Sequence, residues 1–268
     1  MPSQAPIGIF DSGIGGLTVA KAIVSCMPHE SIHYVGDTAH MPYGEKSPDR
    51  LKEYAGRIAQ HLLSSGCKAL VVACNSASSN ALDEVRALAG PEVPVIDVVH
   101  PLVAHAANRH PGGSLGLIGT RATVESRLYD RLLEAHGLKV TSLPTPLLAS
   151  AIEEGFHNGT ISKAVVEAYF ADGWARDKEA LILACTHYPL VGEEIRGLLP
   201  PNVAILDAPS TVARALQQAL DAADLLAQPG VAKQRFEVSD WTQAFADGAS
   251  HIMGRPIELH QTSFPAMD

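Results

Sequence analysis

Residues 69–80, ALVVACNSASSN, and residues 180–190, ALILACTHYPL, decide the fold. Each opens with five small or branched apolar residues, the length and composition of a strand covered on both faces. Each run then meets a cysteine, Cys74 or Cys185, followed at once by amide, hydroxyl or imidazole side chains and a helical pattern. A strand that ends in polar residues and passes into a helix is the repeating unit of a parallel α/β sheet. The two units sit near the middle of each half of the chain. They predict two similar halves, each presenting one thiol to a substrate held between them.

The same rhythm extends outward. Ile7–Phe10 reads as a strand, Gly13, Gly15 and Gly16 as a turn, and Leu17–Met27 as a helix stopped at Pro28. Ser31–Gly36 is a second strand, followed by the turn-rich loop DTAHMPYGEKS. Ser47 and Pro48 form a helix start, and Leu51, Tyr54, Ile58 and Leu62 recur at helical spacing up to Gly66. The helix after Cys74 reaches Leu88, and Val95–Ile96 is a strand ending at Asp97. The second half repeats the theme: Leu115–Ile118 before GTRAT, Lys139–Leu143, Ala180–Ala184, and Ala204–Leu206 near Asp207. A helix over Thr211–Leu225 and two strand-like stretches, RFEV and IELHQ, close the chain. Parallel sheets bind ligands beyond the carboxyl ends of their strands. Five polar clusters fall there: Asp11-Ser12, Asp37-Thr38, Cys74-Asn75, Gly119-Thr120 and Cys185-Thr186.

Composition narrows the function. The 268 residues suffice for one or two domains with a buried core. A net charge of −9 supplies no basic stripe, which speaks against nucleic acid or anionic lipid as a partner. It leaves a small anionic substrate open, because local amide and hydroxyl donors grip a carboxylate whatever the global charge. No apolar run approaches the roughly 20 residues of a membrane helix, and the N-terminus lacks a secretory pattern. A cytoplasmic location is the expectation, and with it four free thiols: Cys26, Cys67, Cys74 and Cys185. No C-x-x-C pair signals zinc or redox chemistry. The first strand follows the N-terminus closely, so no long extension that could house an effector site is expected.

Other motifs are weaker. Thr18 stands where a dinucleotide-binding G-x-G-x-x-G needs its third glycine. Neither a P-loop nor a G-x-S-x-G elbow is present. His100, His105 and His110 recur every five residues, a spacing that fits no metal site and reads as exposed histidines near a helix. Pro42, Tyr43 and Gly44 form a turn whose backbone donors and phenol suit a pocket wall. A helix N-terminus favours a thiolate, and both cysteines are expected at one, with Pro189 at the first helical position after Cys185. His187 is then an acid–base partner for Cys185. Asp11 plays that part for Cys74 if the first and third strands are neighbours.

With these residues in view, the chain resembles the glutamate racemases of the cofactor-independent Asp/Glu racemase superfamily. The matching stretches are GIFDSGIGGLTV, GDTAHMPYG, VVACNSASSN, IGTRATV, AIEEG and ACTHYPLV, in that order over residues 7–191. The resemblance implies two pseudo-symmetric three-layer α/β domains with largely parallel sheets and the active site in the cleft between them. Residues 1–97 plus 208–268 would form one, and 98–207 the other. It implies catalysis by Cys74 and Cys185, assisted by Asp11 and His187, with Glu153 behind His187. Substrate contacts would come from Asp11, Ser12, Pro42, Tyr43, Gly44, Asn75, Ser76, Thr120, Thr123, Thr186 and His187. No cofactor and no metal are implied. D-glutamate made this way would serve peptidoglycan synthesis, and family members are often dimers. Two positions depart from the usual pattern: Ser76 where threonine is commoner, and Ala184 where glycine is. Three rivals remain: a relative acting on aspartate or a hydantoin-like acid, a Cys-His hydrolase built on Cys185 and His187, and a binding module without activity. His187 in place of the glutamate usual in aspartate racemases favours glutamate.

Overall fold

The computed structural model describes residues 2–156 and 159–264. Among the described residues, ten strands alternate with helices: β1 (Ile7–Asp11), β2 (Ile32–Gly36), β3 (Ala69–Val72), β4 (Val95–Asp97), β5 (Ser114–Gly119), β6 (Lys139–Pro144), β7 (Ala180–Ala184), β8 (Ala204–Leu206), β9 (Gln234–Val238) and β10 (Leu259–Gln261). All pairings are parallel and fall into two sheets, in the orders β10-β9-β2-β1-β3-β4 and β6-β5-β7-β8.

The orders share an internal pattern. In each sheet the first strand in sequence, β1 or β5, lies between the second and the third, and the fourth follows the third. The chain therefore reverses its direction of winding at β1 and again at β5. A crevice opens at such a point, beyond the carboxyl ends of the strands. Cys74 follows β3 and Cys185 follows β7, so the two thiols leave equivalent strands of two equivalent sheets. β9 and β10 extend the first sheet alone.

Burial explains the elements. β1, β3 and β7 are buried along their whole length, as strands covered by helices on both faces must be. The helix Pro48–Ser64 starts where Ser47 accepts a hydrogen bond from the Arg50 amide. It buries Leu51, Ala55, Ile58, Ala59 and Leu62 against the first sheet, and Gly66, at φ +80°, turns the chain out of it. Burying each of Leu51, Ile58 and Leu62 stabilises the fold by about 1.5–3 kcal/mol. Truncating Leu62, fully buried, to alanine would cost about 2–5 kcal/mol. A continuous apolar core joins Ile7 and Ile9 of the first sheet to Leu117 and Ile182 of the second. It runs through Leu102 of the helix His100–Arg109 and Leu216 of the helix Pro209–Ala222. The two sheets are thus held by shared helices, with their site-bearing ends toward each other. Among the described residues no helix is long and apolar enough to cross a membrane.

Two expectations are corrected. Cys185 is not at the start of a helix as Cys74 is: the residues after it form a short 3₁₀ turn, Tyr188–Val191, before the helix Gly192–Leu198. His100, His105 and His110 are half-buried rather than exposed, because His100 leans on Asp97 and His110 on Glu179.

Candidate active site

Asp11 ends β1 with its side chain buried. The Gly16 amide donates to its Oδ2 at 2.6 Å. The Thr186 hydroxyl, from the other sheet, approaches the same oxygen at 3.5 Å. Oδ1 has no hydrogen-bond partner. The glycines of this turn allow the approach. A Cβ on Gly15 would lie 2.5 Å from Thr186 Oγ1, and one on Gly13 would lie 2.7 Å from Glu153 Oε1. Tyr34 fixes the turn by donating to the Gly13 carbonyl at 2.6 Å.

Cys74 caps the helix Asn75–Ala89, and its sulfur stands 4.0 Å from Ser12 Oγ. Burial, with the Asp11 charge second, pushes its thiol well above the usual range. The backbone amides of Ala77 and Ser12 point at the sulfur and pull the other way, but more weakly. The pull of the helix terminus is therefore the weaker influence at this sulfur. Across the site, Cys185 Sγ lies 3.6 Å from His187 Nδ1, and His187 Nε2 lies 2.9 Å from Glu153 Oε1. Burial alone would lower His187; Glu153 and Cys185 more than offset it and hold the imidazole well above its usual value. A cationic imidazole beside a sulfur is the standard means of activating a thiol.

Both cysteines line one cavity. Its walls also take in Asp11, Ser12, Pro42, Tyr43, Gly44, Asn75, Ser76, Thr120, Glu153, Thr186 and His187. The cavity is small, about 20 Å³, room for roughly one water. Ser76 Oγ is 2.8 Å from Thr120 Oγ1, and a Cβ on Gly44 would lie 2.6 Å from Thr120 Cβ. The two sheets' loops therefore meet directly at this wall. Thr123 does not line the cavity: it stands behind Thr120, 3.0 Å away through the two hydroxyls. Asp37 and Thr38 also lie outside it. Asp37 accepts from the Tyr43 hydroxyl at 2.5 Å and lies 2.9 Å from His40 Nδ1, so it supports the wall. Burial and Asp37 push the Tyr43 phenol well up, which keeps it a donor.

Sequence reasoning missed Glu45, Pro146, Ala149 and Ser150, which complete the lining. The last three share the helix Pro146–Glu153 with Glu153. Counting back from Glu153 by three, four and seven residues reaches them on one helical face. Tyr129 was missed too; its hydroxyl donates to Asn75 Oδ1 at 2.8 Å, tying a helix of the second sheet to the Cys74 loop. Cys26 and Cys67 stand away from the cavity. Burial, then the Glu237 charge, pushes the Cys67 thiol up to about 12.

Known proteins resemble this chain in sequence and fold. The Asp/Glu/Hydantoin racemase family matches residues 16–216. A glutamate racemase of Koribacter versatilis is 37% identical, with 96% of this chain and 97% of that one covered. One of Beutenbergia cavernae is 42% identical over 84% of this chain and 77% of that one. Among solved structures, the glutamate racemase of Francisella tularensis in complex with D-glutamate superposes with a TM-score of 0.91 at 34% identity, covering 97% of this chain and 98% of that one. A glutamate racemase isoform of Bacillus anthracis reaches 0.93 at 32% identity, covering 99% and 100%. An aspartate racemase of Picrophilus torridus, 16% identical at a TM-score of 0.61, shares the fold alone, over 84% of this chain and 100% of that one. With matches of this extent, the chain belongs to the Asp/Glu/Hydantoin racemase family.

Proposed function

We propose that this protein racemises glutamate without a cofactor, with Cys74 and Cys185 as the two proton-transferring groups on opposite faces of Cα. One observation carries the reading: two thiols from equivalent strand ends of two sheets line a single cavity. Relatives named as glutamate racemases match most of the chain.

The Cα proton of an amino acid is very weakly acidic, so its removal depends on placement and on dipoles fixed around the developing charge. From L-glutamate, the Cys185 sulfur takes the proton while the Cys74 thiol gives its own to the opposite face. The product leaves with the two sulfurs' protonation exchanged, and D-glutamate runs the sequence backwards. Each resting form of the pair therefore holds one proton between the two sulfurs. His187, held cationic by Glu153, assists Cys185, and Asp11 assists Cys74. Ser12, Asn75, Ser76, Thr186 and the Tyr43-Gly44 turn offer the hydroxyl and amide donors for the amine and carboxylates. Thr120 and Thr123 brace Ser76. The cavity is too small for an amino acid, so residues 1–97 with 208–268 would part from residues 98–207 to admit substrate. Closure then excludes water.

D-glutamate produced in this way fits peptidoglycan assembly, and a cytoplasmic homodimer is the form the family suggests. The test is proton exchange. Cys74→Ser and Cys185→Ser are each incubated with either enantiomer in heavy water, and racemisation is followed by circular dichroism and deuterium uptake by mass. Both variants should lose racemisation severely. Near wild-type turnover in either would refute the two-base assignment, and turnover of aspartate in place of glutamate would refute the substrate.

A further inference from the structure

A buried polar cluster lies away from the cavity, on the opposite side of β2 from the shared core. His33 sits on β2 and Glu237 on β9. Val35 pairs with Glu237 in the strand register, which places His33 two residues along on the same face. The helix Pro48–Ser64 covers that face and brings down His61. His33 Nε2 and His61 Nε2 approach the same carboxylate oxygen, Glu237 Oε2, at 2.9 Å and 2.7 Å. The His33 and Glu237 side chains are 4% and 2% exposed, and that of His61 is 20% exposed.

Three features mark this cluster. The three ligand atoms lie within 4.8 Å of one another, the grouping of His, Cys, Asp or Glu with metal-binding spacing found among the described residues. His33 Nε2 is fully buried yet makes no aligned hydrogen bond. Glu237 Oε1 is already held by Arg235, whose Nε donates at 2.7 Å, so Oε2 is the oxygen that faces both imidazoles. A carboxylate that ligates through one oxygen while a neighbour holds the other is the usual outer-shell arrangement of a metal site.

We infer that His33, His61 and Glu237 form a binding site for a transition-metal ion of the zinc type, the fourth position being taken by water on the partly exposed His61 side. Two imidazoles and a carboxylate suit such an ion, with bonds of about 2.0–2.2 Å. Ligand atoms around a tetrahedral ion stand about 3.3 Å apart, so the two nitrogen-to-oxygen gaps of 2.9 Å and 2.7 Å each open by roughly half an ångström, through small swings of His33 and His61. Each ring then carries its proton on Nδ1 and ligates through Nε2. The bound ion bolts β9, which arrives late in the chain, to β2 and the helix above it. Its role is structural, remote from proton transfer.

The test is cobalt(II) titration of the full-length Cys74→Ser/Cys185→Ser protein, which removes the cavity thiols as competitors. One equivalent should bind, with the visible bands of a four-coordinate ion and no sulfur-to-cobalt charge transfer. His61→Ala should weaken binding by more than tenfold. Arg235→Ala, an exposed side chain that only orients Glu237, should weaken it by about tenfold. Equal binding by the parent and His61→Ala, or thiolate bands, would overturn the site. Anomalous scattering from crystals of the unsubstituted protein grown with zinc gives a reading that no variant's folding can obscure. A peak between His33, His61 and Glu237 supports the inference, and zinc found only at other positions defeats it.

Discussion

Gly16→Ala tests the placement of Asp11 directly. Gly16 precedes the helix Leu17–Cys26 with φ −62°, a conformation alanine adopts freely, so the substitution brings no backbone strain and acts through contact alone. The new methyl would stand 2.4 Å from Asp11 Cβ, 3.0 Å from Asp11 Cγ and 3.0 Å from the Tyr34 hydroxyl. Carbon atoms sit comfortably at about 3.5–4.0 Å, so Asp11 and the turn must separate by roughly 1 Å. Neither yields easily. Asp11 Cβ is anchored on β1, which is paired with β2 through Asp11 itself, and Tyr34 holds the turn through the Gly13 carbonyl. Overpacking of this kind costs about 1–3 kcal/mol of stability. Displacing a catalytic group by about 1 Å costs on the order of 100-fold in rate, or about 2.7 kcal/mol of barrier. The assay is racemisation of L- and D-glutamate by circular dichroism, with thermal unfolding in parallel. The enantiomers have equal free energy in water, so kcat/KM must fall equally in both directions. A folded Gly16→Ala protein racemising within about threefold of wild type would refute the placement of Asp11 at the chemistry.

Glu153→Gln should lower the pKa of His187 and move the alkaline limb of the activity profile to lower pH, read from kcat/KM between pH 6 and 10. Because the folded-state pKa of His187 lies above the unfolded value, its pairing stabilises the fold fully below the usual histidine pKa and is lost as pH rises through the folded value. The variant's stability deficit should therefore be largest at low pH and shrink as pH rises; a pH-independent deficit contradicts the ion pair. Tyr129→Phe removes the donor to the buried Asn75 Oδ1 and should cost about 1–3 kcal/mol in urea unfolding, with a raised KM as the Asn75 amide loses its orientation. Gly197→Ala falls in the helix Gly192–Leu198 with nothing within 4 Å of the new methyl; it should stabilise the protein by about 0.5–1 kcal/mol with racemisation unchanged.

Much of the fold was legible because parallel strands buried on both faces are short apolar runs, and the runs ALVVA and ALILA announce themselves. So do Ser47 with Pro48, which start a helix by local capping alone. The position of β9 was not legible. RFEV reads as a strand, but nothing local says that it pairs with β2 rather than closing the second sheet; that is decided by which edge is left unpaired. The helix after Cys185 was overestimated because THYPL and NSASSN look alike in order, yet Pro189 and the short run to Gly192 yield only a 3₁₀ turn.

The site divides in the same way. Side-chain types at strand ends are local, and the run of residues alone puts Asp11, Cys74, Cys185 and His187 where a parallel sheet binds ligands. Their chemical state and company come from packing between distant segments. The Cys74 thiol is pushed up because burial and Asp11 outweigh the pull of its own helix. Ser150 and Ala149 reach the cavity because the helix Pro146–Glu153 turns that face toward it. His33 meets Glu237 because one strand register, β2 against β9, joins segments about two hundred residues apart. Propensity and capping act over a few neighbouring residues, whereas desolvation, ion pairing and register depend on which distant segments pack together.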